Sequence, residues 1–166
     1  MLVFFYSNIN AQLRNISEES DVVTVTNIDS YFDTAKKSTV SNGAKLNAQN
    51  LKTLTTNVQP SVYCYSNTVN TYGDMPVNLF TDMNSLAQVD NLVTLKNNIE
   101  IVIIKIDNAS QLNASINLAL LSNFKKLKYI YIVSSIDISS SEIANMITNY
   151  DEKYSVFYKI DKGDNQ

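Results

Sequence analysis

Four stretches of this chain end alike: LKTLTTNVQPSVYCY, LVTLKNNIEIVIIKI, LLSNFKKLKYIYIV and MITNYDEKYSVFYKI each pass from an apolar, helix-like tail through a polar turn into a strand-like run. The strand-like runs are rich in β-branched and aromatic residues and too short for helices, which marks them as buried strands. Ile101 and Tyr129 stand 28 residues apart, and the endings IKID (104–107) and YKID (158–161) stand 54 apart, about twice 27. A period near 27 restricts the fold to a repeating β-α unit or to an α/β layer structure with the same rhythm.

The second half supplies the elements of that unit. Strands are expected over 99–106, 128–133 and 154–160. Between the first two, Leu112, Ile116, Ala119, Leu120 and Phe124 recur at helical spacing behind Asn108 or Ser110 as N-cap, which predicts a helix over about 110–124. A second helix is expected over 139–150, where Ser139 and Glu142 have capping-box spacing. Because each helix provides the crossover that parallel strands need, the β-α-β-α-β order implies parallel pairing.

In LKYIYIVSSIDI (127–138), Leu127, Ile130 and Ile132 occupy L-x-x-L-x-L positions, with Ser135 where Asn or Cys is usual. The segment resembles a leucine-rich-repeat strand. The resemblance implies an α/β fold, a short irregular right-handed β-α repeat with a parallel sheet, spanning residues 58–160 and disturbed over 67–90. A three-layer α/β sandwich is the alternative consistent with the same elements.

The first half is less regular. DVVTVTNI (21–28) reads as a strand, STVSNGAK as a loop and NAQNLKTLTTN (47–57) as a helix. Residues 12–57 are therefore expected to form an N-terminal cap over one end of the repeat. NTVNTYGDMP (67–76) is dense in turn residues and is expected to be a mobile loop, and 161–166 a tail. The opening MLVFFYSNINAQ has a short apolar run followed by Ala11 before Gln12, the order of a signal-peptide remnant covering 1–11. Its ending NINAQ is similar to the signal-peptide ends of proteins exported by Bacteroidetes, which implies a periplasmic or secreted protein. No stretch approaches the ~20 apolar residues of a membrane-spanning helix.

Composition narrows the chemistry. The net charge of −3 lacks the basic footprint of a nucleic-acid binder. The chain contains no His, which removes the usual general base, the Ser-His-Asp triad and most zinc sites. Gly43, Gly73 and Gly163 are too dispersed to cradle a phosphate, and no cofactor or metal is expected. Cys64 reads as a small buried hydrophobe. Ser122 and Lys125 have Ser-x-x-Lys spacing but lack the partner motifs of penicillin-recognising enzymes.

Carboxylates are the remaining catalytic candidates. Asp29 with Asp33, or Asp74 with Asp82 around the 67–90 loop, could serve a small hydrolase if held across a cleft. Asp161, Gly163, Asp164 and Asn165 carry oxygen ligands of the kind calcium takes, although the tail is expected to be solvated. Asn15, Asn108 and Asn113 head Asn-x-Ser sequons. Asp33-Thr34-Ala35 resembles the short O-glycosylation motif of exported Bacteroidetes proteins and implies sugar on Thr34.

Aligning the strands leaves a column of Tyr63, Tyr65, Ile101, Ile103, Tyr129, Tyr131 and Phe157 on one sheet face. If that face is open, Tyr63, Tyr65, Tyr129, Tyr131 and Phe157 form a binding surface for a protein or glycan partner at the cell envelope. In a sandwich they are core. The leading expectation is a non-catalytic binding module, with the carboxylate hydrolase as the alternative.

Overall fold

The computed structural model describes residues 23–163. The proposed leader 1–11, the sequon at Asn15, and Asp164 and Asn165 of the tail lie outside these residues. In chain order the elements are strand β1 (Val25–Asn27), helices α1 (Ile28–Ala35) and α2 (Asn42–Thr56), strands β2 (Ser61–Tyr65), β3 (Thr68–Tyr72) and β4 (Asn78–Asp82), helix α3 (Val89–Leu92), strands β5 (Ile101–Ile106), β6 (Ile116–Asn117) and β7 (Tyr129–Ser134), helix α4 (Ser140–Met146), and strands β8 (Ile147–Thr148) and β9 (Ser155–Ile160). Short 3-10 turns precede α3 and flank β6.

Seven strands form one mixed sheet in the order β1-β9-β7-β5-β4-β2-β3. All neighbours are parallel except the antiparallel β2–β3 hairpin at one edge. From β2 to β9 the parallel strands follow chain order, and their starts step from Ser61 to Asn78, Ile101, Tyr129 and Ser155 in one register row. The expected strands β5, β7 and β9 are therefore adjacent and parallel.

The two faces are built differently. On the back face Val62, Leu79, Val102, Ile130 and Val156 share a row and pack against the connections between strands, including Leu86, Val89, Leu118, Leu121, Phe124 and Ile143. On the front face Ile101, Ile103, Tyr129 and Phe157 pack against Ile28, Leu51 and Leu54. The segment expected to cap one end thus lies over the front face. Its strand β1 joins β9 at one side, while α1 and α2 lead back towards β2 at the other.

Three expectations need correction. Residues 110–124 do not form a helix: they make 3-10 turns at Ala109–Asn113 and Leu118–Leu121 around β6, which pairs with β8. The buried positions Leu118, Leu121, Phe124 and Leu127 recur every three residues, the spacing of 3-10 turns. Asn and Ser side chains also compete for the backbone here. Asn117 accepts hydrogen bonds from the Ala119 amide and the Asn149 side chain, and the Ser115 and Thr148 hydroxyls meet at 2.9 Å.

The second correction concerns 67–76, which is not a loop throughout. Ser66 and Asn67 take left-handed φ values of 49° and 59°, making a two-residue turn that returns the chain as β3. Gly73 then bends away at φ 75°, and a Cβ there would stand 3.1 Å from Pro60 Cβ. Third, the disturbed stretch contains β4, a strand of the parallel run that the period of 27 skipped.

Helix ends match local chemistry more closely. Asn27 caps α1 by accepting the Ser30 amide, and Ser41 caps α2 by accepting the Ala44 amide, so α2 starts inside the segment read as a loop. At α4 the Ser139 hydroxyl accepts the Glu142 amide while Glu142 accepts the Ser139 amide, the expected capping box. This helix ends at Met146 because Ile147 and Thr148 continue as β8.

Candidate functional site

The front face brings the sequence-predicted column together and adds a residue to it. Tyr63, Phe80, Ile103, Tyr131 and Phe157 occupy successive positions of one register row across β2, β4, β5, β7 and β9. Phe80 was missed because β4 was missed. The alternation of Leu79 and Thr81 with Asn78, Phe80 and Asp82 was its only signal.

Coverage divides this face. Tyr129, one row below in register with Ile101, and Phe157 are buried, at 6% and 5% exposure, so the expectation that they are solvent-facing is wrong. The reason is α1: Tyr31 packs on Phe157 with ring centroids 4.9 Å apart, and Ile28 lies in the same cluster. Tyr63, Tyr65 and Tyr131 remain half-buried, so part of each ring is accessible.

The accessible aromatics concentrate towards the β3 edge. Tyr63 stacks on Phe80 with centroids 4.7 Å apart and planes 6° from parallel. It also meets Tyr72 edge-on at 5.5 Å and Tyr65 at 6.4 Å. Such offset and edge contacts fix ring orientation beyond simple burial. Beside them Val58, Gln59, Ser61, Tyr63, Asn70 and Tyr72 line a hollow of about 590 Å³. No sequence signal distinguishes Tyr72, because turn residues dominate its segment.

Charges border the aromatic row. Asp82, Lys105, Val133 and Lys159 form the next front-face row. Lys159 pairs with Asp29 at 3.3 Å and Lys105 with Asp107 at 3.0 Å. Burial, then the carboxylates of Asp29 and Asp161, push the Tyr131 phenol up to about 12. Burial and then Asp82 also raise Tyr65 above the ordinary phenol range. Both phenols stay protonated at neutral pH and can donate hydrogen bonds.

The carboxylate candidates have structural occupations. Asp82 accepts the Ser85 amide at 2.6 Å and the Ser66 amide at 3.3 Å, tying the β2–β3 turn to the start of the next connection. Asp74 lies exposed in the bend after β3. Asp33 is held below the usual carboxylate range by its hydrogen bond from Lys36. It lines a separate groove of about 480 Å³ between α1 and α2, together with Asp29, Phe32, Lys45 and Lys52. Thr34 is exposed on α1.

Cys64 is fully buried on the back face, where burial and then Asp82 raise its thiol. Asp161 accepts the Gly163 amide in a local turn. Among the described residues no group of three or more His, Cys, Asp or Glu is placed to hold a metal ion, and no helix is long and apolar enough to cross a membrane. Comparison with protein-family models, with curated proteins and with solved structures finds no match.

Proposed function

We propose that the chain is an exported, non-catalytic binding module of the cell envelope that holds a protein or glycan partner on its front face through Tyr63, Tyr65 and Tyr131, with Phe80 and Tyr72 beside them. The observation that carries this reading is the aromatic row, fixed by strand register and only half-covered at its β2 and β4 end. Aromatic rings offer large contact area with little rotamer entropy to lose, and protonated phenols add hydrogen bonds. Tyr129 and Phe157 act as the buried support of that surface.

The architecture we infer is an irregular right-handed β-α repeat of leucine-rich-repeat type. Chain-ordered parallel strands with every connection between β4 and β9 packed on the back face support it. The helices α1 and α2 then act as a partial lid. Export rests on the leader-like opening, and sugar on Thr34 on its exposed position in α1.

A single experiment addresses export and binding together. The protein, expressed from its own gene and recovered from periplasm, envelope or medium, is expected to begin at Gln12 and to co-sediment with envelope fragments. Tyr63→Ala combined with Tyr65→Ala should reduce co-sedimentation at least about tenfold, the loss of one or two anchors. Retention of Met1 on protein recovered from the periplasm or medium removes the leader-cleavage reading, and absence of the protein from periplasm, envelope and medium removes the export reading. Undiminished binding by a folded double variant removes the front-face reading.

A further inference from the structure

We propose that the β3 edge is a self-association site, through which two copies of this chain join their sheets antiparallel about a two-fold axis at Asn70. This inference does not depend on the front-face binding function. Among the described residues β3 has a partner on one side only, β2. An exposed edge offers a row of free N–H and C=O groups, and natural sheets usually blunt it with charge, Pro or a bulge. Thr68-Val69-Asn70-Thr71-Tyr72 contains none of these protections.

The register fixes which groups are free. Across the two-residue turn Tyr65 faces Thr68, followed by Tyr63 with Asn70 and Ser61 with Tyr72. In an antiparallel hairpin these alternate pairs exchange hydrogen bonds inward, which leaves the N–H and C=O of Val69 and Thr71 directed outward. A two-fold axis at Asn70 sets Val69 opposite Thr71 of the second copy, and Thr71 opposite its Val69. All four outward groups of each strand are then satisfied.

Side chains fit the same axis. Asn70 meets its own image at a closely spaced pair, and an amide carries both donor and acceptor, so it complements itself. Thr68 meets Tyr72, and no position in the paired segment carries a charge. An acidic chain can therefore approach its copy here without like charges directly opposed. Among the described residues, three of the five most exposed large hydrophobics, Val58, Tyr72 and Met75, belong to this side of the molecule. Pairing β3 with β3 closes as a dimer, whereas pairing β3 with the opposite edge β1 would propagate without end.

Sedimentation velocity of the full chain over a concentration series tests this. Wild type is expected to move from 18.6 kDa monomer to dimer. Asn70→Lys and Asn70→Asp should each weaken dimerisation at least about tenfold, because like charges meet at the axis. An equimolar mixture of the two should dimerise again, since opposite charges now meet. Amide hydrogen exchange needs no substitution: Val69 and Thr71 N–H should slow as concentration rises. A chain that stays monomeric, a dimer indifferent to both substitutions, or singles that weaken without recovery in the mixture each overturns the proposal. Where either variant fails to fold, unchanged exchange at Val69 and Thr71 on concentration overturns it.

Discussion

Tyr131 has the most constrained titration among the front-face residues. It sits half-buried between Phe157 and Ile103 in its row, with Asp29 and Asp161 close enough to oppose a phenolate. Its folded value of about 12 lies above the ordinary 10.0. The sign of the linkage follows directly. Between these values the unfolded chain has lost the proton that the native chain keeps, so the unfolded state binds fewer protons and stability falls as pH rises. The contribution is complete below about pH 10 and gone above about pH 12, as set by the raised phenol. Tyr131→Phe, which cannot ionise, is expected to flatten the loss of thermal stability measured by circular dichroism across this window. Parallel loss in wild type and variant would assign the alkaline sensitivity to the other groups held above their ordinary values, Tyr31, Cys64 and Tyr65 by burial and Lys153 by Asp151.

Strand β7 shows what an element contributes where both its faces are covered, at Tyr129 and Ile130. Ile130 is fully buried among the back-face connections, and Tyr129 is buried under the N-terminal helices. Ile130→Ala should cost about 2 to 5 kcal/mol and Tyr129→Ala about 3 to 5, because each leaves a cavity in packed surroundings. Urea denaturation measures both, and a cost below about 1 kcal/mol for Tyr129→Ala would mean that the helices pack loosely there. Strands β2, β5, β7 and β9 are legible because β-branched and aromatic runs such as IVIIKI declare strands buried on both sides. The alternation that put Tyr63, Tyr65 and Tyr131 on one face was legible for the same reason. Residues 110–124 misled because Leu112, Ile116 and Phe124 fit a 3.6-residue period, while Leu118, Leu121 and Phe124 fit the 3-residue period the chain adopts. β4 is hidden by polar Asn78, Thr81 and Asp82, two of which are used inside: Asn78 donates to the Leu54 carbonyl and Thr81 to that of Cys64.

At the scale of the whole molecule, the feature that no local pattern announces is the closure of the chain on itself. β1 pairs with β9, so the first and last strands of the described fold are neighbours, and α1 and α2 carry the chain from that edge to β2 across the front face. Whether Tyr129 or Phe157 is exposed depends on this long-range contact, which is why a sequence reading could order the column but not divide it into support and surface. The arrangement also makes the helices part of the core. Leu51 is fully buried, and Leu54 and Ile28 nearly so, against Ile101, Ile103, Tyr129 and Phe157. A chain starting at residue 58 keeps every strand from β2 to β9 and all the back-face connections, but uncovers those four front-face residues together. Contiguous apolar surface of that kind favours association or partial unfolding. The shortened chain is therefore expected to bind 8-anilinonaphthalene-1-sulfonate strongly, to lose cooperative thermal unfolding, and to aggregate at concentrations where the full chain stays dispersed. Should it instead melt cooperatively as a dispersed monomer with weak dye binding, the sheet and its back-face connections would stand without the front-face helices, and the entire aromatic column, Tyr129 and Phe157 included, would lie uncovered.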